Sequence, residues 1–284
     1  MTVQSLGDRI RELAATPAGT PLPPEAREVV STLLDALERG ELRAAERGDD
    51  GEWRAVAWVK QGILLSFRLG QVVDLSPGCE PRSFSFLDKD TMPPRQFSLA
   101  DGVRVVPGGS TVRRGAYLAP GVVCMPPMYV NVGSWVGAGT MIDSHALVGS
   151  CAQIGARVHL SAAAQIGGVL EPINASPVVI EDDVIVGGNC GVYEGTVVRQ
   201  GAVLGAGVVL TRGTPVFDLV HECVYRGSAT QPLVIPADAV VVPGARRMRG
   251  AYAAAEGLSL QTPVIVKYRD DKTDLATTLE AWLR

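Results

Sequence analysis

The middle of the chain is organised by an aliphatic residue that returns at every sixth position. From Val112 to Ile166 these residues keep one phase, and from Ile180 to Val216 they keep a second phase that is shifted by two residues. The residue four positions after each of them is mostly small or β-branched. A helix would need apolar residues every 3.6 positions, and an ordinary strand would alternate without interruption. The six-residue period therefore predicts neither.

Each hexad is better explained as a three-residue strand followed by a corner. The position-four residue, the next residue and the next aliphatic residue point in, out and in, as in a strand of period 2. The remaining positions are rich in Gly, Asn, Asp and Pro, which favour turns. Three hexads would close a triangular coil of eighteen residues, so residues eighteen apart should stack. The pattern predicts a β-solenoid of between five and six coils.

The residue that points outward from each predicted strand is often apolar, which an isolated solenoid does not explain. The apolar residues at these positions are Val123, Tyr129, Trp135, Met141, Leu147, Ile185, Val197, Val203 and Val209. An apolar exterior of this extent needs a partner. Either the flanking segments cover part of it, or solenoids pack against one another in a symmetric oligomer, which we favour.

Residues 1–103 differ in pattern from the repeat and predict a separate, mainly helical N-terminal domain. Residues 29–37 follow a helical pattern that Gly40 can close as a C-cap. Residues 58–69 form a short apolar run that fits either a helix or a strand. Residues 75–99 are rich in proline and predict a linker or a surface loop.

The solenoid should occupy residues 104–245 with two interruptions. Residues 167–172 begin a two-residue excess, which we interpret as a bulge or a small loop at one corner. Residues 218–231 predict an excursion or a loosely wound coil. Ile235 and Val241 then fit one more partial coil.

Residues 246–284 change character again and predict a small C-terminal cap over the last coil. Residues 262–268 have the pattern of a strand, and residues 272–283 have the pattern of a terminal helix.

Composition argues against several classes of function. A formal charge of −4 and a pI near 5.5 provide no basic field for nucleic acid. No window approaches twenty apolar residues, and the N-terminus lacks a basic segment followed by an apolar one, so we expect no membrane partner and a cytoplasmic location. Five cysteines without a C-x-x-C pair predict reduced thiols.

The histidines do not predict a metal site. A solenoid metal site would need ligands at neighbouring heights, and His145 and His159 are fourteen residues apart rather than eighteen. We expect both, and His221, to be surface or interface residues. The sequence also lacks G-x-x-x-x-G-K-[ST] and G-x-S-x-G, and His221 lacks the second His of H-E-x-x-H.

Seven short motifs resemble the tetrahydrodipicolinate N-succinyltransferase family. They are L-L-S-F-R (64–68), R-V-V-P (104–107), Y-V-N (129–131), G-T-M-I-D (139–143), G-S-C-A-Q-I-G (149–155), V-H-L-S (158–161) and I-G-G-V-L-E-P (166–172). The match spans roughly residues 25–270 in the same order. It is therefore specific to this family rather than to hexapeptide proteins in general.

The resemblance implies a mainly β fold: a left-handed parallel β-helix with an N-terminal α/β domain and a small C-terminal cap. The hand is an exception to the usual right-handed crossover. The family forms a homotrimer with active sites between subunits. It transfers a succinyl group from succinyl-CoA to the amino group of ring-opened tetrahydrodipicolinate, in the diaminopimelate route to lysine. Succinyl-CoA would be a co-substrate, with no tightly bound cofactor.

Aminolysis of a thioester needs a base for the amine, donors for the oxyanion and cations for the substrate's two carboxylates. Arg104 matches the family's substrate-binding Arg, and Asp143 matches the Asp of its motif. From sequence alone, Asp143 would be a corner residue that accepts backbone N–H groups. The resemblance implies instead that Asp143 is catalytic and binds substrate, that Ser150 also binds substrate, and that Gly187 and Gly205 contact CoA.

Two positions depart from the family pattern. Some members carry a Glu proposed to assist catalysis in a stretch G-A-R-S-E-V-V-E-G, whereas residues 187–195 here read G-G-N-C-G-V-Y-E-G, with Gly191 at the position of that Glu. A Trp two residues after the Asp is His145 here. Because the first departure removes a carboxylate, we take Glu194 as a second catalytic candidate.

Two other functions remain open. One is a related hexapeptide acyltransferase that uses acetyl-CoA or another amine acceptor. The other is a non-catalytic β-solenoid whose apolar strands build an assembly. The presence of both Arg104 and Asp143 favours an enzyme.

Overall fold

A computed structural model describes residues 2–76 and 85–270. Its helices are α1 (Val3–Ala14), α2 (Ala26–Glu38), α3 (Ala57–Leu69) and α4 (Ala251–Ala255), and Leu99–Asp101 forms a 3-10 turn. No helix within these described ranges is both long and apolar enough to cross a bilayer. The predicted terminal helix at residues 272–283 lies outside the described residues.

The strands are short and numerous. In chain order they are β1 (Ala45–Arg47), β2 (Trp53–Ala55), β3 (Val72–Asp74), β4 (Leu87–Lys89), β5 (Arg104–Val105), β6 (Thr111–Val112), β7 (Tyr117–Leu118), β8 (Val123–Cys124), β9 (Tyr129–Val130), β10 (Trp135–Val136), β11 (Met141–Ile142), β12 (Leu147–Val148), β13 (Gln153–Ile154), β14 (His159–Leu160), β15 (Gln165–Ile166), β16 (Val179–Ile180), β17 (Ile185–Val186), β18 (Gly191–Val192), β19 (Val197–Val198), β20 (Val203–Leu204), β21 (Val209–Leu210), β22 (Val216–Asp218), β23 (Cys223–Tyr225), β24 (Val234–Ile235), β25 (Ala239–Arg247) and β26 (Ser259–Tyr268).

The predicted left-handed parallel β-helix is confirmed. Its first face contains β6, β9, β12, β15, β18 and β21; its second face contains β7, β10, β13, β16, β19 and β24; its third face contains β5, β8, β11, β14, β17, β20 and β25. Within a face every neighbouring strand is parallel. Trp135 pairs with Tyr117 on one side and with Gln153 on the other, so partners are eighteen residues apart, as the period predicts.

The repeating aliphatic residues fill the interior of the solenoid. Apart from Val216, which begins β22, each is the second residue of its strand, and Ile142, Ile154 and Leu160 are completely buried. The small residues four positions later, such as Ala152 and Ala164, are also completely buried. A large side chain from the strand and a small one from the corner fill the prism in each hexad. Burying each large aliphatic side chain stabilises the fold by about 1.5–3 kcal/mol.

Both interruptions are larger than the sequence indicates. The first residues of β15 and β16 are fourteen positions apart, whereas those of β12 and β13 are six apart. The loop is therefore eight residues longer than a corner. The prediction of a two-residue excess was wrong. Eight extra residues are one whole hexad plus two, and a whole hexad does not change the phase of the repeat.

The second interruption is an excursion rather than a loosely wound coil. Val216 keeps the six-residue period, but its strand leaves the solenoid: β22 pairs with β23 as an antiparallel hairpin and with β26 in parallel. Val234 instead takes the place above Val197 on the second face. Residues 218–231 thus contain part of a hairpin rather than only a loop.

The end of the solenoid is closed by two long strands. β25 continues the third face, because Val240 pairs with Val203, and it then pairs antiparallel with β26. Ile265 of β26 is completely buried in the solenoid core. The predicted strand at residues 262–268 is confirmed within β26.

The segment before the repeat packs its own apolar core. Residues 58–69, ambiguous in sequence, belong to the helix α3, whose Gly62 faces Leu33 of α2 so closely that a Cβ there would lie 2.2 Å from it. The proline-rich segment contributes β4, which pairs with β3; residues 77–84 lie outside the described part. Lys60 is completely buried and its Nζ donates to the Ala175 carbonyl at 2.5 Å, which connects α3 to the loop of the first interruption.

The N-terminal segment also covers the second face. The Arg43 guanidinium lies 4.2 Å from the centre of the Trp135 ring, and its Nε donates to Gln153 Oε1 at 2.9 Å. Burial lowers the pKa of Arg43 to about 10. Part of the apolar exterior is therefore covered within the chain: Val197 is only 2% exposed.

Glu181 joins the N-terminal segment to the solenoid. Its Oε1 accepts from Trp53 Nε1 at 3.0 Å and from Arg199 Nη1 at 2.9 Å, and its Oε2 accepts from Gln200 N at 3.1 Å. Burial would raise the pKa of this carboxyl, but the hydrogen bonds outweigh it and hold the pKa below the usual value. The folded chain therefore favours the ionised form of the Glu181 carboxyl.

This arrangement predicts a specific acid sensitivity. A carboxyl with a lower pKa in the folded chain stabilises it above about pH 4.3, and the contribution is lost as the pH falls. Glu181→Gln should lower the free energy of unfolding at pH 7 by about 1–3 kcal/mol and should flatten its decline below about pH 5, measured by urea unfolding. Glu52→Gln, at a carboxylate that also contacts Arg199 but is half exposed, is the control. An unchanged acid slope in Glu181→Gln would contradict this assignment.

Candidate active site

Asp143 lies at the corner between the third and first faces, directly after β11. Its Oδ1 accepts from Ser144 N at 2.7 Å, which is the corner role expected from sequence alone. Its Oδ2 lies 3.9 Å from His159 Nε2, and the side chain is about one third exposed. One carboxylate oxygen is therefore held by the backbone, while the other faces His159 and the surface.

His159 is a site residue that sequence reasoning missed. It was expected at the surface or an interface, but it is 9% exposed and lies on β14, which pairs with β11. His159 stacks on Met141, and Met141 is two residues before Asp143. The eighteen-residue spacing therefore predicts that His159 lies beside Met141 and close to Asp143. Comparing His159 with His145 alone does not reveal this.

Arg104 lies on the same face as Asp143. It occupies β5, two strands below β11, and its pairing partner is Val123. The side chain is exposed and has no ion-pair partner in the described ranges. A cation without a carboxylate partner and a carboxylate with one oxygen that accepts no backbone hydrogen bond thus occur on one side of the solenoid.

Gly187 and Gly205 lie further along the corner that carries Asp143, after β17 and β20. A Cβ on Gly187 would lie 2.6 Å from both Ala206 N and Leu204 O, and one on Gly205 would lie 3.2 Å from Val241 O. Both glycines are therefore required by the close approach of successive coils. They leave this part of the corner without side chains.

Ser150 and Glu194 lie at a different corner, between the first and second faces. The Ser150 carbonyl accepts from Val169 N at 3.1 Å. Glu194 is exposed, and its Oε2 accepts from Arg212 N at 3.0 Å, so this carboxylate already has a structural role. It lines a cavity of about 440 Å³ together with Asn174 and Arg212. Within one chain, the structure does not bring Glu194 or Ser150 to Asp143, because they lie at opposite ends of the first face.

The other two histidines are exposed. His145 lies at the same corner as Asp143, two residues further along the chain, and His221 Nδ1 lies 3.0 Å from Asp218 Oδ2 near the closed end of the solenoid. In the part of the chain that the structure describes, no three His, Cys, Asp or Glu side chains are grouped as metal ligands.

The fold and these positions define a class: a hexapeptide-repeat transferase, with three parallel faces and ionisable groups at the corners rather than in a closed pocket. Comparison with known proteins narrows the class. The family profile described as tetrahydrodipicolinate N-succinyltransferase N-terminal matches residues 12–69, and the profile described as hexapeptide repeat of succinyl-transferase matches residues 177–212.

Curated relatives match over nearly the whole chain. The Chelativorans sp. (strain BNC1) protein named 2,3,4,5-tetrahydropyridine-2,6-dicarboxylate N-succinyltransferase is 42% identical to this chain, over 92% of this chain and 89% of the relative. The relatives below have the same name. Those of Bradyrhizobium diazoefficiens and Idiomarina loihiensis are 43% and 42% identical, over 92% of this chain and 90% of each relative. The chain belongs to the tetrahydrodipicolinate N-succinyltransferase family.

Proposed function

We propose that this protein transfers the succinyl group of succinyl-CoA to the amino group of ring-opened tetrahydrodipicolinate and gives N-succinyl-2-amino-6-oxopimelate. The observation that carries the proposal is the identity of 42–43% over 92% of the chain to relatives named for this activity. The placement of Asp143 and Arg104 on one side of the solenoid supports it. Succinyl-CoA acts as a co-substrate, and no tightly bound cofactor is required.

Asp143 acts as the base in this mechanism. The neutral amine attacks the thioester carbonyl, a C–N bond forms, and the C–S bond breaks to release the CoA thiolate. The proton lost by the nitrogen passes to Asp143 Oδ2, the oxygen that the backbone leaves free. Asp143 then gives this proton to the released thiolate, which leaves as the CoA thiol, and the carboxylate is regenerated.

Arg104 binds one carboxylate of the acceptor. A guanidinium matches a carboxylate with two parallel hydrogen bonds, and Arg104 has no internal carboxylate to compete. Ser150 contributes a hydroxyl to the other carboxylate. The backbone at Gly187 and Gly205, where successive coils approach closely, contacts the extended arm of CoA.

The site forms between subunits of a homotrimer. Asp143 lies at one end of the first face, and Ser150 and Glu194 lie at the other, so one chain cannot assemble all three. A symmetric oligomer that places unlike corners of neighbouring solenoids side by side would bring them together. The third face supplies the contact surface, because Met141, Ile185 and Val203 point outward and are only partly buried within the chain.

The protein is proposed to be cytoplasmic and to act on small molecules, without a nucleic-acid or membrane partner. Its cysteines within residues 2–76 and 85–270 are free thiols, as a reducing compartment allows. The alternative function as a broader hexapeptide acyltransferase differs only in the donor or the acceptor. The alternative function as a non-catalytic assembly protein predicts no activity at all.

The donor assay separates these three functions. With tetrahydrodipicolinate as acceptor, thiol release from succinyl-CoA should exceed that from acetyl-CoA by at least tenfold in kcat/KM. Equal rates would favour the broader acyltransferase. Absence of thiol release with both donors from a folded oligomer would favour the assembly protein.

Asp143→Asn keeps the shape of the side chain and removes its charge. If Asp143 is the base, kcat/KM should fall by roughly 10²–10⁴. Glu194→Gln should cost less, because the Glu194 carboxylate is engaged by a backbone N–H. Steady-state kinetics on both variants, with circular dichroism as the control for folding, decide the assignment. A larger loss in Glu194→Gln would transfer the role of base to Glu194.

The oligomer is tested by sedimentation. The wild type should sediment as a trimer of 29.9 kDa chains at micromolar concentration. Val203→Glu should shift it toward monomer, because the new charge would be buried without a partner. Val72→Glu, which also replaces an exposed valine but lies outside the solenoid, should leave the trimer intact. A monomeric wild type would refute the intersubunit site.

A further inference from the structure

The first face has one outward position without a side chain. The residues at its outward strand positions are Thr111, Tyr129, Leu147, Gln165, Gly191 and Val209. Gly191 is nevertheless buried, so another group covers it. That group is the ring of Tyr193.

Tyr193 folds back over the missing side chain. It follows Gly191 by two residues, so both point to the same side of the strand. A Cβ on Gly191 would lie 2.5 Å from Tyr193 Cε2 and 2.8 Å from its Oη. A Cβ on Gly167, in the coil below, would lie 2.8 Å from Tyr193 Cδ1. The ring therefore lies across two glycines, and a side chain at either would displace it.

The Tyr193 hydroxyl is placed where a residue 191 side chain would begin, and it is not used within the chain. Its backbone N and O are bonded to Leu210 and Thr196, but its Oη has no hydrogen-bond partner in the described residues. The side chain is half-buried, so the hydroxyl is accessible from the first face. Tyrosine hydroxyls are normally hydrogen-bonded when they lose contact with water.

The corner after Tyr193 is also unlike the others. Corners of the solenoid carry one residue with positive φ at a six-residue period, for example Asp183, Asn189 and Gly195. Glu194 is an additional one, out of phase, at φ 55°. A non-glycine residue in this region costs on the order of 1–3 kcal/mol and is typical of functional sites. The chain bends sharply directly after Tyr193.

We propose that Tyr193 binds the acceptor substrate, and that its hydroxyl donates a hydrogen bond to a carboxylate of the acceptor from the first face. This inference rests on the proposed function. A phenol O–H donates a hydrogen bond without adding a charge, and it does not compete for the amine proton as a carboxylate would. Tyr193 shares the corner between the first and second faces with Ser150, so the two hydroxyls approach the acceptor from the same subunit.

Tyr193→Phe removes the hydroxyl and keeps the ring over Gly191. A hydrogen bond to a charged group should be worth roughly tenfold to hundredfold in affinity. KM for tetrahydrodipicolinate should rise by this factor, while KM for succinyl-CoA should stay within about twofold. Tyr252→Phe, at an exposed tyrosine on α4, is the matched control and should change neither value. Unchanged KM values in Tyr193→Phe would overturn the proposal.

A pair of variants tests the position itself. In the stretch G-A-R-S-E-V-V-E-G, a Glu at the position of Gly191 accompanies a Val at that of Tyr193. Gly191→Glu alone should disrupt the face, because the new side chain meets the Tyr193 ring. The double variant Gly191→Glu, Tyr193→Val should fold as the wild type. The pH profile of its kcat/KM should show an acidic limb that is set by the new carboxyl. If Gly191→Glu alone is as active as the wild type, the ring does not occupy the site.

Binding of the acceptor is also measured without turnover. Calorimetry with pimelate, a seven-carbon dicarboxylate, should show weaker binding to Tyr193→Phe than to the wild type by the same factor. If the wild type transfers no succinyl group yet this difference persists, the proposed function fails and the role of Tyr193 stands. Equal binding of pimelate to both proteins would refute the role of Tyr193 whatever the activity.

Discussion

The structure depends on parallel pairing between residues eighteen positions apart. Apart from β25, each strand of the three faces is only two residues long and gains its hydrogen bonds from the coils above and below, so no coil is stable by itself. The spacing between coils, about 4.8 Å, leaves room for one aliphatic and one small side chain per hexad. Any extra residues must therefore leave at a corner, and both interruptions do so. Chemistry is confined to the outward residues and the corners for the same reason.

The corners add a second constraint. A turn from one face to the next requires a residue with positive φ, and glycine supplies it at Gly121, Gly133 and Gly139 without cost. At the next corner, which begins with Asp143, the residue with positive φ is His145. A side chain in this conformation costs stability, on the order of 1–2 kcal/mol. Cys151, Arg157 and Ala163 occupy the same position at the next three corners, so the fold accepts this cost along much of the solenoid and not only beside Asp143.

The six-residue period predicted the strands, their faces and the stacking of residues eighteen apart, because one-dimensional spacing determines geometry in a solenoid. The sizes of the two interruptions could not be predicted in this way, since the insertion of a whole hexad leaves the phase of the repeat unchanged. The helix α3 was ambiguous because its apolar run is short; contact with α2 through Gly62 decides it. No local pattern indicated that Arg43 would cover Trp135, because that contact joins separate segments. Asp143 was placed at its corner by the period, whereas its role came from the resemblance.

The loss of a carboxylate at position 191 changes the electrostatics of the proposed site. A second carboxylate would add a like charge to the site that must also hold the two carboxylates of the acceptor. A neutral phenol adds no such repulsion, and Arg104 supplies a cation on the same side of the solenoid as Asp143. Replacement of a charged group by Tyr193 is thus compatible with catalysis if the missing residue served to hold the acceptor rather than to take its proton. In that arrangement one carboxylate carries the proton transfer, and hydroxyls and a guanidinium orient the dicarboxylate.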